Sequence, residues 1–232
     1  MDTALVPQFW ISLLEIIGVD IILSGDNAVV IALAVRSLPQ RQQSRAIVFG
    51  SVAAVVMRVI LTVFVVELLR LPYLKLIGSA LLLWIGIKLL VPGGNGATDV
   101  ESKDTLFAAI KTILIADMVM SLDNVIGIAA AAKGNVILLM LGLAISIPLI
   151  VLGSSVMLRL MERFPLIVTL GGGLLGYIAG EMAVSDSAIA AWIQANIHWI
   201  EQPAGIGGAL LVVVVGRRLA QRQISAGIDR VI

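Results

Sequence analysis

Seven long apolar stretches constrain this chain more than any other feature. They cover residues 9–35, 46–69, 72–91, 106–132, 136–158, 165–183 and 201–216. A helix needs about 20 apolar residues to cross the hydrocarbon core of a bilayer. The chain is 59% hydrophobic and 13% charged over 232 residues, whereas soluble domains run near roughly 25% charged. A water-soluble core of this length cannot hide so much apolar surface, so the bilayer is the fitting solvent. The pattern predicts an all-α polytopic membrane protein with seven transmembrane helices. The first and fourth stretches are longer and carry internal carboxylates. The last is the weakest, apolar only from Ala204 to Val215.

Polar segments separate the spans. Arg36 to Arg45 is a basic loop containing Pro39, and PGGNGATDVESKD (92–104) is a linker rich in Gly and charge. Residues 185–200 carry Trp192 and Trp199, which suggest a short interfacial helix with Ser185 or Asp186 as its N-cap. The first apolar stretch follows MDTALVPQFW, which has no basic residue, and reads as a mature span rather than a signal peptide. With the N-terminus outside, twelve Lys and Arg residues fall on inner segments, three on outer ones, and Arg58 lies within a span. The positive-inside rule then places the C-terminus in the cytoplasm, and the expected location is the bacterial inner (cytoplasmic) membrane. The net charge of +1 gives no reason to expect a nucleic-acid partner. Without cysteines there are no disulfides or thiolate metal sites, so any metal must use oxygen donors or His198.

The chain repeats itself. Residues 20–32 read DIILSGDNAVVIA and residues 117–129 read DMVMSLDNVIGIA, at an offset of 97. Asp20, Ser24, Asp26 and Asn27 match Asp117, Ser121, Asp123 and Asn124. At an offset of 93, Pro72, Gly78, Leu81, Leu82 and Ile85 match Pro165, Gly171, Leu174, Leu175 and Ile178. The second helices match poorly, and Arg58 has no counterpart. This divides the single transmembrane domain into repeat one (9–91), the linker (92–104), repeat two (105–183), the interfacial segment (185–200) and a seventh helix (201–216). Three spans per copy is an odd number, so the second copy enters the membrane inverted. Inverted repeats are a recurring plan of secondary transporters, with the substrate site near the midplane.

Carboxylates at membrane depth are costly unless paired or hydrated. On an unbroken helix Asp20, Ser24 and Asn27 share one stripe, with Asp26 about 120° away. A break at Ser24-Gly25 would re-aim Asp26, while Leu122 in place of Gly25 disfavours a break in the second copy. Carboxylate, amide and hydroxyl oxygens are hard donors that suit Mn²⁺, Mg²⁺ or Ca²⁺. The candidate metal residues are therefore Asp20, Ser24, Asp26, Asn27, Asp117, Ser121, Asp123 and Asn124. The same groups also serve as interhelical hydrogen-bond glue in membrane proteins, and that reading stays open. Arg58 is either a partner for one of these carboxylates or a structural counter-ion or snorkel. Glu181 and Lys88 occupy matching helix ends. Gly176 and Gly180 form G-x-x-x-G, which reads as close helix packing rather than a phosphate loop. No hydrolase or nucleotide motif is present. An intramembrane acid–base enzyme using Asp20 and Asp26 explains the duplication less well than a transport site, so no enzymatic activity is expected.

The paired motifs, with the seven-span layout, resemble the TerC family of integral membrane proteins over roughly residues 9–216. The resemblance implies a secondary transporter exporting divalent metal, Mn²⁺ foremost, in which the motif acids Asp20, Asp26, Asp117 and Asp123 are essential. Mn²⁺ would be the transported substrate, with Ca²⁺ and Mg²⁺ as alternatives, and no organic cofactor is implied. The expected partners are the metal ion and the bilayer. The sequence sets no stoichiometry, and a homo-oligomer is compatible with it.

Overall fold

The computed structural model describes residues 7–68, 71–91, 103–132, 135–197 and 199–228. Residues 92–102 of the linker, and His198, lie outside the described residues. Among the described residues there are nine helices and no strand: α1 (Pro7–Leu23), α2 (Gly25–Val35), α3 (Gln40–Leu68), α4 (Leu74–Leu90), α5 (Lys103–Ala132), α6 (Val136–Arg163), α7 (Leu166–Val184), α8 (Ala190–Asn196) and α9 (Glu201–Ile228).

The outside of the bundle is apolar. Trp10, Leu14, Ile22, Phe49, Phe64, Ile137, Leu152 and Leu170 are among the many large side chains that project outward. In water such a surface would be a liability, and in lipid it is the required finish. The chain is an integral membrane protein.

Among the described residues, five helices are long and apolar enough to cross a bilayer, or six if α1 and α2 form one broken span. The helix expected at 72–91 is α4, which is not among these six. α4 has 17 residues and rises about 25 Å, against a hydrocarbon core of about 30 Å. Length and composition alone thus count five or six crossings among the described residues, with α4 at the short end of the range that spans. Several helices outrun their apolar stretches: α3 begins at Gln40, α6 continues to Arg163, and α9 extends past residue 216 to Ile228. These additions are polar or basic turns, which hydropathy alone assigns to loops.

The first apolar stretch is not one helix. It breaks at Ser24, whose φ and ψ are −105° and 4°, and the two halves bend by 49°. Gly25 opens α2, and nothing lies within 4 Å of where its Cβ would be. The matching stretch is continuous through Ser121 and Leu122 as α5. Leucine favours helix where glycine costs about 1 kcal/mol, so the sequence difference has the expected local result.

Packing pairs the two halves. α3 lies on α5, and α6 lies on α1 and α2; α4 touches α5, and α7 touches α2; α4 and α7 pack on each other. Exchanging the copies maps each of these contacts onto another. The equivalent residues Ile16 and Ile113 are both fully buried, and each seats over a glycine of the other copy's second helix, Gly142 and Gly50 respectively. The second helices thus correspond in packing even though their sequences align poorly. A methyl on Gly176 or Gly180 would run into the α9 backbone at Gly208 or Ala204, so these glycines let α9 approach α7 closely, as the G-x-x-x-G pattern suggests.

The chain between α7 and α8 departs from expectation. Asp186 does not cap the interfacial helix α8, whose N-cap is Ile189 without a side-chain bond. Its buried carboxylate instead accepts from the backbone N–H groups of Tyr73 (3.0 Å), Lys75 (3.0 Å) and Leu76 (3.2 Å), and from that of Ala188 (2.9 Å). Three of these are donors at the start of α4, which has no cap of its own because Tyr73 sits at φ 66°. Burial pushes the Asp186 carboxyl up, but the four backbone N–H bonds outweigh it and hold the group below the usual carboxylate range.

Candidate functional site

A buried ionic centre lies where the two copies meet. Asp20 lies near the end of α1, four residues before the break, and Ser24 stands one turn on at the break itself. The Ser24 hydroxyl donates to Asp20 Oδ1 at 3.2 Å. On α5 the same spacing gives the same bond, Ser121 Oγ to Asp117 Oδ2 at 3.2 Å. Between these pairs lies the guanidinium of Arg58, from α3. Its Nη1 donates to Asp20 Oδ1 and to Ser24 Oγ, the latter at 2.8 Å. Its Nη2 donates to Asp117 Oδ1 at 2.6 Å, and its Nε to Ser121 Oγ at 3.1 Å. Arg58 is 1% exposed and Asp20 0%, so the charges are out of water and only their pairing makes burial tolerable. The planar five-donor fork of arginine suits this bridging, whereas a lysine ammonium would not span it.

The structure gathers four of the eight sequence-derived residues at this centre: Asp20, Ser24, Asp117 and Ser121. Asn27 does not join them. An unbroken helix would put Asn27 on their stripe, but the break at Ser24 shifts the phase of everything after it. Asn27 is nevertheless buried, and neither of its side-chain polar atoms has a hydrogen-bond partner. Asp26 is not turned into the centre by the break either. It lies in the first turn of α2 and its Oδ1 accepts from the Asn27 backbone N–H at 2.9 Å, where a carboxylate complements the helix dipole. Asn124 is half-buried on α5. Asp123 lies on α5, and its side chain is outside the described residues. Among the described residues, no three carboxylates or histidines gather in a way that could hold a metal ion.

The sequence left the role of Arg58 open between one carboxylate partner and a structural counter-ion or snorkel; the structure gives it the first carboxylate of each motif, Asp20 and Asp117. Sequence reasoning missed Ser51, fully buried on α3 with its hydroxyl unpartnered. Its only signal is spacing: Ser44, Ser51 and Arg58 recur every seven residues and share one face of α3. Other buried serines differ, since Ser146 and Ser154 donate to carbonyls of their own helix, Gly142 and Ile150.

Two cavities flank the centre at opposite ends of α3. One of about 150 Å³ is lined by Leu68, Leu71, Lys75, Ser185 and Leu122, and so reaches the residue after Ser121. The other, of about 440 Å³, is polar, with Gln40, Arg41, Gln43, Ser44, Arg159 and Glu162 around it. It ends at Ile47, about 16 Å along the helix from Arg58, with buried Ser51, Ala54 and Val55 between.

Known proteins place the chain. Residues 5–224 match the TerC integral membrane protein family. An uncharacterised membrane protein of Bacillus subtilis, YjbE, is 44% identical over 182 residues, covering 78% of this chain and 83% of that protein. YceF of the same organism, also uncharacterised, is 26% identical over 77% of this chain and 73% of its own length. The Escherichia coli protein YegH is 27% identical, and there the match covers 34% of the relative, so the chain corresponds to about a third of it. No solved structure matches. A match over nearly the whole chain, with a relative this similar over most of its length, shows that the chain belongs to the TerC family of integral membrane proteins.

Proposed function

We propose that the chain is a secondary transporter that exports a divalent metal cation, Mn²⁺ foremost, by alternating access through a site built on Asp20 and Asp117. The observation that carries this reading is the convergence of the two motif aspartates, from separate copies, on one buried centre. Asp20 keeps one carboxylate oxygen without a partner, and the unpartnered Asn27 amide lies seven residues further along the same motif. These are the hard oxygen donors that Mn²⁺, Mg²⁺ and Ca²⁺ accept. The exchange of packing contacts between the halves supports an inverted repeat, with α4 and α7 as equivalent third helices and α9 outside it. The Lys/Arg distribution supports an N-terminus outside and a cytoplasmic C-terminus, in the inner membrane of a bacterium. In that orientation the smaller cavity lies at the outer end of α3, by Leu68 and Leu71, and the larger one lies at its cytoplasmic end, with Ile47 in its lining.

One observation favours a different reading. Asp20 and Asp117 are buried and paired with Arg58, as expected of a scaffold whose polar groups only hold helices together. Flux separates the two. Reconstituted in proteoliposomes, the wild type is expected to carry labelled Mn²⁺, and Asp20→Asn and Asp117→Asn to lose that flux at least about 100-fold while still inserting as folded protein. Unchanged flux in both variants would leave the scaffold reading standing.

A further inference from the structure

Arg58 occupies the place where a transported cation would have to bind. Its guanidinium takes Asp20 Oδ1 and Asp117 Oδ1, the two carboxylate oxygens that face each other across the copies. A guanidinium is permanently charged, so these oxygens already have a cation, supplied by the protein. A divalent ion cannot use the same lone pairs while Arg58 holds them. The rest of the arginine need not move far. Its backbone stays in α3, where its carbonyl accepts from Thr62 Oγ1 at 2.7 Å.

We infer that Arg58 is a tethered stand-in for the transported ion: it neutralises Asp20 and Asp117 when the site is empty, and the ion enters by displacing it. This rests on the transport reading above and deepens it. Two carboxylates left alone in the membrane interior would hold the empty carrier in whichever state hydrates them. With Arg58 between them, the empty carrier can return. The arginine also sets affinity, because every binding event must first break its bonds to both copies.

The inference separates binding from turnover. Arg58→Gln removes the competitor, and Mn²⁺ binding to the purified full-length protein is expected to tighten at least tenfold. Arg58→Lys, which keeps the charge but loses the bridging fork, is expected to fall between it and the wild type. Net export by Arg58→Gln should drop at least tenfold, because the empty return stalls, whereas exchange of Mn²⁺ for Mn²⁺ persists. Thermal unfolding gives a readout independent of flux: Arg58→Gln should be destabilised without metal and recover with millimolar Mn²⁺, more than the wild type gains. A variant that folds only when purified with Mn²⁺ gives the same answer. Wild-type flux with binding unchanged or weakened in both variants would overturn the displacement alone. A wild type without flux, beside an Arg58→Gln protein that binds Mn²⁺ more tightly, would remove the transport reading and keep the displacement. Absence of Mn²⁺ binding in all three proteins overturns both.

Discussion

The two motif copies begin alike and end differently. In each, an aspartate accepts from the serine one turn on, and both pairs bind the same arginine. Beyond the serine the first copy breaks and bends by 49°, while the second runs on as one helix to Ala132. One residue, Gly25 against Leu122, accounts for the local difference. The third helices differ as well. The start of α4 is capped from a distance by Asp186, whereas the start of α7 has no side-chain cap. A duplicated chain has thus kept its chemistry symmetric at the centre and its mechanics asymmetric around it. On the transport reading proposed above, the copy with the break is the one expected to hinge against the continuous copy.

The largest effects should come from the shared centre. Asp20→Ala and Asp117→Ala each leave Arg58 one carboxylate short, and removing one partner of a buried pair costs about 3–5 kcal/mol. Thermal unfolding in detergent should show the two losses equal within about 1 kcal/mol, since Arg58 holds both copies. A loss confined to one copy would break the symmetry claimed for the centre.

Exchanging the residues at the break tests the asymmetry. Leu122→Gly removes a buried side chain and places glycine inside α5, for a combined cost of about 3–5 kcal/mol. Gly25→Leu meets open space and should change stability by less than about 1 kcal/mol. It should nonetheless lower Mn²⁺ flux about tenfold by favouring an unbroken first helix. Normal flux in a folded Gly25→Leu protein would remove the hinge from the account.

A smaller effect should appear at the third helices. Asp186→Asn weakens the acceptor for four backbone donors, and hydrogen bonds to a charged group are worth about 1.5–3 kcal/mol. The folded-state carboxyl lies below its ordinary value, so its contribution is fully present above about pH 4 and is lost as pH falls through the depressed folded value. The difference in unfolding temperature between wild type and Asp186→Asn should therefore shrink only in acid.

The smallest contrast is among serines. Ser121→Ala should cost about 1 kcal/mol, because it removes the acceptor for Arg58 Nε. Ser51→Ala removes a buried hydroxyl that has no partner and should be neutral or stabilising by up to about 1 kcal/mol. A matched loss at both positions in the same unfolding assay would mean that Ser51 is as firmly bonded as Ser121.

Much of this was legible in the sequence because it depended on local spacing. The i, i+4 relation of Asp20 to Ser24, repeated at Asp117 and Ser121, survives folding because it spans one helical turn. The Gly25–Leu122 difference forecast which copy breaks, and Gly176 and Gly180 forecast the close approach of α9. What failed required knowledge beyond one turn. Asn27 was placed on the Asp20 stripe by continuing a helix through a residue that ends it. Asp186 was assigned to the nearest helix start, although the donors it serves lie on α4, more than a hundred residues earlier. Arg58 lacks a counterpart in the repeat, and its bonds to both copies arise only when α3 packs against α5. The 72–91 stretch forms a helix of 17 residues, at the short end of the roughly 17–25 that cross a bilayer, so the crossing count rests on more than hydropathy.

The central claim is that the two motif copies share one centre. The chain has no cysteine, which gives a clean background for a cross-linking test. In a Ser24→Cys, Ser121→Cys protein, a short bifunctional thiol reagent should join the two positions within one chain, since both hydroxyls touch the same guanidinium. Proteolysis in the 92–102 segment followed by non-reducing electrophoresis reads this directly: the account predicts that the halves stay linked. Separation of the halves would contradict it, provided that an Ile16→Cys, Gly142→Cys control, drawn from side chains in contact, links under the same conditions.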